Sequence, residues 1–292
     1  MRGIGLTEVL SALPGLLVVA FAVVTQLGDV WFLLALTGSA YWLGSATPRV
    51  GLSRERAAVA LAALLLAYAV VSTLKPLVGL PRPPGAARPP QLDLVPPAAR
   101  GFYAWLSTGD GFGFPSGHAI GAAAVYGGLA WAVRTGSRRT RVALAAAMVA
   151  LVSLSRLVLG LHYLVDVLAG AGLGALAVGV AVWLGRPRRT LALASAVAVV
   201  GLALTGVGHE LASVAGLCVG ALLGVGLAEG GLSGPSGRES VAATVAVGAL
   251  VAGPLLAASA ELSPGPASAA VLGVLGGTAL TAAPLAGRYL GR

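Results

Sequence analysis

Within the apolar run from Ser155 to Asp166, reading SRLVLGLHYLVD, an arginine, a histidine and an aspartate interrupt a stretch otherwise suited to a lipid bilayer. An ionisable side chain at such depth costs roughly 2.5 kcal/mol or more, so these groups need partners or a function that offsets it. His162 and Asp166 stand four residues apart. On a helix that spacing puts both on one face, where the carboxylate can hold one imidazole nitrogen and leave the other free as a nucleophile. Attack of that nitrogen on phosphorus would give a phosphohistidine.

Two further clusters complete a set. Lys75, the only lysine in the chain, is followed by Arg82-Pro83, and Pro115-Ser116-Gly117-His118 opens another apolar run. Lys75, Arg82 and Arg156 offer three cations, the number that would neutralise a phosphoryl group as it gains charge in transfer. Ser116 and Gly117 at a helix start would aim backbone N–H groups and the helix dipole at an anion, and the glycine permits close approach. His118, from a different helix, can serve as general acid for the leaving oxygen and then as base for the attacking water. Two histidines and an aspartate could also hold a metal. Three cations in the same place would repel a divalent ion, however, so neither a metal nor another cofactor is expected.

The elements that must position these groups are transmembrane helices. Of the 292 residues 57% are hydrophobic and 10% charged, against about 25% charged in soluble domains, and the mean hydropathy is +0.91. Apolar runs long enough to cross a bilayer are placed near 9–25, 30–46, 57–74, 117–133, 142–159, 164–184, 190–207, 211–228, 241–260 and 267–286. The first resembles a signal peptide at Ala20-Phe21-Ala22, but Glu8 spoils a purely basic leader, and an uncleaved helix is the reading adopted. Cys218, the lone cysteine, is expected to pack as a small core residue.

The net charge of +9 is almost all arginine and is scattered between apolar spans, with no basic domain to bind nucleic acid. Arg49, Arg54 and Arg56, then Arg134, Arg138, Arg139 and Arg141, then Arg186, Arg188 and Arg189 fall in alternate connections, which the positive-inside rule assigns to the cytoplasm. Ten spans would put both termini, with Arg2, Arg238, Arg288 and Arg292, on that side as well. Trp42, Trp131 and Trp183 are expected at inner interfaces and Trp31 at an outer one. All three chemical clusters then fall at the outer face. The long connection 76–114 carries PRPPGAARPP, which forbids a long helix, and then GFYAWL, suited to the headgroup layer. Beyond it, His209-Glu210 reads as a solvated loop pair, and Gly216, Gly220 and Gly224 repeat at the spacing that lets helices pack closely.

The three clusters together match a known signature. The chain resembles the type 2 phosphatidic acid phosphatases, whose superfamily includes glucose-6-phosphatase and the vanadium haloperoxidases. The motifs K-x6-R-P, P-S-G-H and S-R-x5-H-x3-D stand complete as Lys75 to Arg82-Pro83, Pro115 to His118, and Ser155-Arg156 to His162 to Asp166. The resemblance implies His162 as nucleophile, Asp166 as its orienting partner and His118 as general acid. Lys75, Arg82, Ser116, Gly117 and Arg156 would form the phosphate cradle, without a metal. It also implies a six-helix core over residues 1–185 of an all-α polytopic transmembrane bundle, with the site at the outer face. It does not reach the roughly four additional helices of 186–292, which could be a dimerisation surface, a stabilising annex or part of a lipid path. The expected activity is hydrolysis of a lipid phosphate monoester or diphosphate in the cell membrane. A lipid phosphotransferase and a non-catalytic transporter or flippase of phosphorylated lipids are the alternatives.

Overall fold

In hydrocarbon every backbone N–H and C=O must be bonded within its own segment, so the apolar stretches of this chain have little choice but to be helical. The computed structural model describes residues 5, 9–10, 13–44, 51–228, 238–262 and 265–290. Arg2, Glu8, Arg49 and Arg292, and the side chains of Arg238 and Arg288, lie outside the described residues. The helices are α1 (Gly15–Val24), α2 (Val30–Leu43), α3 (Arg54–Val78), α4 (Arg100–Ser107), α5 (Gly117–Ala132), α6 (Arg138–Val158), α7 (Leu164–Leu184), α8 (Pro187–Thr205), α9 (His209–Ala228), α10 (Arg238–Val247), α11 (Gly253–Ala257) and α12 (Pro266–Leu290). The protein is 81% helical with no strand among these residues, an all-α polytopic bundle.

The bundle is built around α3. Ser53 caps its start by accepting a hydrogen bond from the Arg56 N–H at 3.3 Å, and Glu55 in the first turn suits the positive end of the dipole. Gly79, at φ 63°, ends it with its N–H on the Lys75 carbonyl, a left-handed position that favours glycine. The most apolar stretch of α3 is 89% buried, more than any other spanning helix. Around it pack α2, α5, α7, α8 and α9. Leu191, Ala194 and Ala198 of α8 and Leu211, Ala215 and Cys218 of α9 share one apolar core with Leu64, Leu65 and Val71 of α3. The helices beyond residue 185 are thus packed into the same body as the site-bearing ones.

The span count differs from expectation. Seven helices among the described residues are long and apolar enough to cross a membrane, or eight if α1 and α2 count together as one. α1 and α2 are bent by 44° across a short break. Two separate crossings would need the axis to reverse, and here the chain carries on. α5, at 16 residues, is shorter than any of these seven.

Two expected interfacial residues are internal instead. Arg54 is 2% exposed and donates from Nε and from a terminal nitrogen to the carbonyls of Tyr41 and Trp42, each at 3.2 Å, satisfying the end of α2. Trp42 is 7% exposed, with its indole N–H on the Leu280 carbonyl at 2.9 Å. Trp31 and Trp183 are exposed, as interfacial anchors would be. The small-residue spacing in α9 has the expected effect: a Cβ at Gly216, Gly220 or Gly224 would collide with Ala270, Val274 or Thr281 of α12. Cys218 is buried.

Candidate active site

Four pieces of backbone meet at one end of α3. The first is the turn after α6. There the Leu161 N–H reaches the Arg156 carbonyl at 3.0 Å and the Gly160 N–H reaches the Leu157 carbonyl at 3.0 Å, with Gly160 at φ 68°. This is a Schellman closure, and it delivers His162 two residues after the glycine. His162 therefore lies in the turn ahead of α7, not on a helix with Asp166 as the spacing suggested. Tyr163, extended at φ −81° and ψ 161°, is the N-cap of α7. Its N–H donates to Asp166 Oδ2 at 2.9 Å, and the same oxygen stands 3.6 Å from His162 Nδ1. Asp166 serves the helix N-terminus first and faces the imidazole at ion-pair range.

The second piece is the long connection, which is closed at its base. An isolated bridge joins Pro81 and Phe112, and the Gly113 N–H bonds the Leu80 carbonyl at 2.7 Å. Inside this clasp, Arg82 Nε donates to the Asp110 carbonyl at 2.7 Å. One terminal nitrogen of Arg82 lies 3.2 Å from the Leu161 carbonyl and 3.1 Å from His162 Nε2. Gly109 lies flat on the guanidinium, 3.0 Å from where its Cβ would be. On the outside of the same connection, α4 buries Tyr103 and Leu106 and exposes the stacked rings of Phe102 and Trp105.

The third piece is the start of α5. Ser116 is fully buried, its hydroxyl accepting from the Ala119 N–H at 3.4 Å and its own N–H donating to the Asp166 carbonyl at 3.0 Å. That N–H is therefore committed to joining α5 to α7, and the groups left to meet an anion are its hydroxyl proton and the next N–H groups of the helix. The space over Gly117 is open except for Lys75 Nζ, 3.9 Å from an added Cβ. One more methylene there would fill the room beside the ammonium.

The fourth piece was not foreseen. The 3-10 turn Thr25–Gly28 between α1 and α2 is held against α5 by the Tyr126 hydroxyl, which donates to the Leu27 carbonyl at 2.7 Å. Thr25 Oγ1 accepts from Arg156 at 2.8 Å, and Asp29 Oδ2 lies 3.6 Å from His118 Nε2. The same Arg156 nitrogen is 3.3 Å from His118 Nε2. No residue spacing could announce this contact, because Thr25 and Asp29 lie more than a hundred residues from Arg156. The bend between α1 and α2 is what delivers them.

Glu210 corrects another expectation. Ser72, buried one turn before Lys75, donates to Glu210 Oε1 at 2.9 Å. Among the charged groups acting on Lys75, Glu210 is the strongest. The residue read as a solvated loop acid is exposed, but it stands in the first turn of α9 rather than in a loop, and its charge acts on the cation cluster. Its neighbour His209 turns away, Nε2 standing 3.2 Å from the Ala260 carbonyl.

The structure therefore brings Lys75, Arg82, Ser116, Gly117, His118, Arg156, His162 and Asp166 to one end of the bundle. Burial, then the positive fields of Arg156, Arg82 and Lys75, hold His162 well below the usual histidine range, which leaves the imidazole neutral and able to donate a lone pair. Two atoms here are buried without a hydrogen-bond partner, Arg156 Nε and His162 Nδ1. Three cations and a neutral histidine at one end of the bundle are the chemistry that an anion of phosphate type would need.

The class so defined is a polytopic helical membrane protein with a cluster of cationic and histidine side chains at the ends of its helices. Residues 56–191 match the family model of the PAP2 superfamily. That match supports a type 2 phosphatidic acid phosphatase-family assignment and a phosphatase-type hydrolase in general. It contains all three motifs and excludes Thr25, Asp29 and Glu210. No curated protein and no solved structure gives a significant match to the chain.

Proposed function

We propose that this protein is an integral membrane phosphatase that hydrolyses a lipid phosphate monoester or diphosphate through a phosphohistidine on His162, without a metal. The observation that carries the reading is the contact of His162 Nε2 with Arg82 at 3.1 Å, while Nδ1 faces the Asp166 carboxylate at 3.6 Å. A phosphoryl group bound by Arg82, Lys75 and Arg156 would have its phosphorus in front of Nε2. Attack forms the P–N bond and breaks the bond to the leaving oxygen, which takes a proton from His118. Water then attacks the phosphohistidine, giving a proton to His118 as the P–N bond breaks, and phosphate leaves.

A lipid substrate is favoured by the exposed Phe102 and Trp105 on α4 beside the site, since amphipathic aromatics suit the headgroup layer. The outward orientation rests on the arginines of 134–141 and 186–189, which stand at the other ends of α6 and α7 from His162. The test is phosphate release by purified protein and its His162→Ala variant across lipid phosphates and diphosphates with chelator present. Release by the wild type alone supports the nucleophile. Equal release by both removes it, and release by neither favours transport. An alcohol phosphate formed with an added acceptor would turn the reading to a phosphotransferase.

A further inference from the structure

At the end of the bundle away from His162, arginines collect, and Glu55 beside Arg56 forms no ion pair with them among the described residues. Arg56, Arg138 and Arg141 line one end of a cavity of about 720 Å³ between α6 and α7, floored by α5, and Arg134 is close enough to act on Arg56. No carboxylate lies within 4.0 Å of any of these four side chains among the described residues. Arg141 is committed to the carbonyls of Ala130, Thr135 and Gly136. Arg56 is not committed. Its guanidinium lies 4.4 Å from the centre of the Trp131 ring, and one terminal nitrogen is buried without a hydrogen-bond partner. A cationic donor with an unpartnered buried nitrogen among like charges suits an anion from outside the chain.

The rest of the cavity is apolar. It runs along α6 from Val142 to Leu157, with Leu168 and Ala175 of α7 opposite, about 22 Å at the helical rise of 1.5 Å per residue. A long apolar groove ending in uncompensated arginines fits a molecule with one anionic end and a hydrocarbon chain. We propose that it holds a resident anionic phospholipid, its phosphate on Arg56 and Arg138 and an acyl chain between α6 and α7. This is separate from the candidate active site, because Arg141 and Arg156 stand fifteen residues apart on α6, again about 22 Å. The lipid would wedge the α6–α7 hairpin, whose far turn carries His162.

The test is thermal unfolding of the full chain in phosphatidylcholine nanodiscs, in the same discs containing phosphatidylglycerol, and in phosphatidylcholine discs with inorganic phosphate. Phosphatidylglycerol raises the midpoint by about 2–4 °C, and phosphate alone does not. The Arg56→Gln/Arg138→Gln double variant loses the shift. So does Ala146→Phe, which fills the groove from an exposed position while keeping the arginines and so decides the matter if the double variant is itself unstable. Equal melting in both lipids, a full shift with phosphate alone, or a phosphatidylglycerol shift that survives Ala146→Phe would overturn the assignment.

Discussion

Asp29 Oδ2 stands 3.6 Å from Nε2 of His118, joining the break between α1 and α2 to the first residues of α5. A carboxylate at that range opposes burial and the Arg156 charge, which work against the protonated imidazole that must donate to a leaving oxygen. Asp29→Asn should slow alkyl phosphates by about tenfold to a hundredfold, no more than the lower end of the contribution of general acid catalysis, since His118 itself remains. It should slow p-nitrophenyl phosphate far less, since nitrophenolate leaves without a proton. Steady-state kinetics on both substrates check this; equal losses would reduce Asp29 to a cap of α2.

The depressed pKa of His162 sets a direction for the pH profile. Its nucleophilic form is neutral, and it stays neutral as pH falls through the ordinary histidine value of about 6.5. The acid limb of kcat/KM that belongs to His162, identified as the limb lost in variants of that residue, should lie below 6.5. Stability follows the same group. The unfolded chain takes up a proton near 6.5 while the folded chain does so only at lower pH, so this contribution is present above 6.5 and lost progressively below it. Thermal midpoints of wild type and His162→Gln across this range should converge toward acid if the sign is right.

Glu210 offers a charge test. Glu210→Gln keeps an oxygen to accept from Ser72 Oγ but removes the negative charge beside Lys75. An incoming phosphate then meets a more positive cradle, so inhibition by vanadate or inorganic phosphate should strengthen several-fold. Unchanged inhibition constants would leave Glu210 with a packing role only.

Gly160 tests how the turn holds the nucleophile. At φ 68° an alanine is strained by roughly 1–2 kcal/mol, so Gly160→Ala should lower the thermal midpoint by several degrees and reduce turnover together. Gly172→Ala, on α7 with open space at its Cβ position, is the control and should leave turnover unchanged.

By itself the sequence determined the material and the local chemistry. Continuous apolar runs can only be helices in lipid, so the bundle was legible from hydropathy, and the glycines of α9 already stated that α12 would come close. The spacing of the three motifs identified Lys75, Arg82, Ser116, Gly117, His118, Arg156, His162 and Asp166, because each motif is short and its residues are neighbours in the chain. The tertiary structure alone decided what those residues meet. That α1 and α2 form one bent pair, that this bend carries Thr25 to Arg156 and Asp29 to His118, and that Glu210 reaches Ser72 beneath Lys75 all depend on helices far apart in sequence packing side by side. His162 also moved off the helix that its spacing suggested, because a positive-φ glycine ends α6 two residues earlier and the Asp166 carboxylate is drawn to the N-terminus of α7. Periodicity reports which face of a helix is apolar. Which helices pack around α3 is settled by the shape and small-residue content of all of them together.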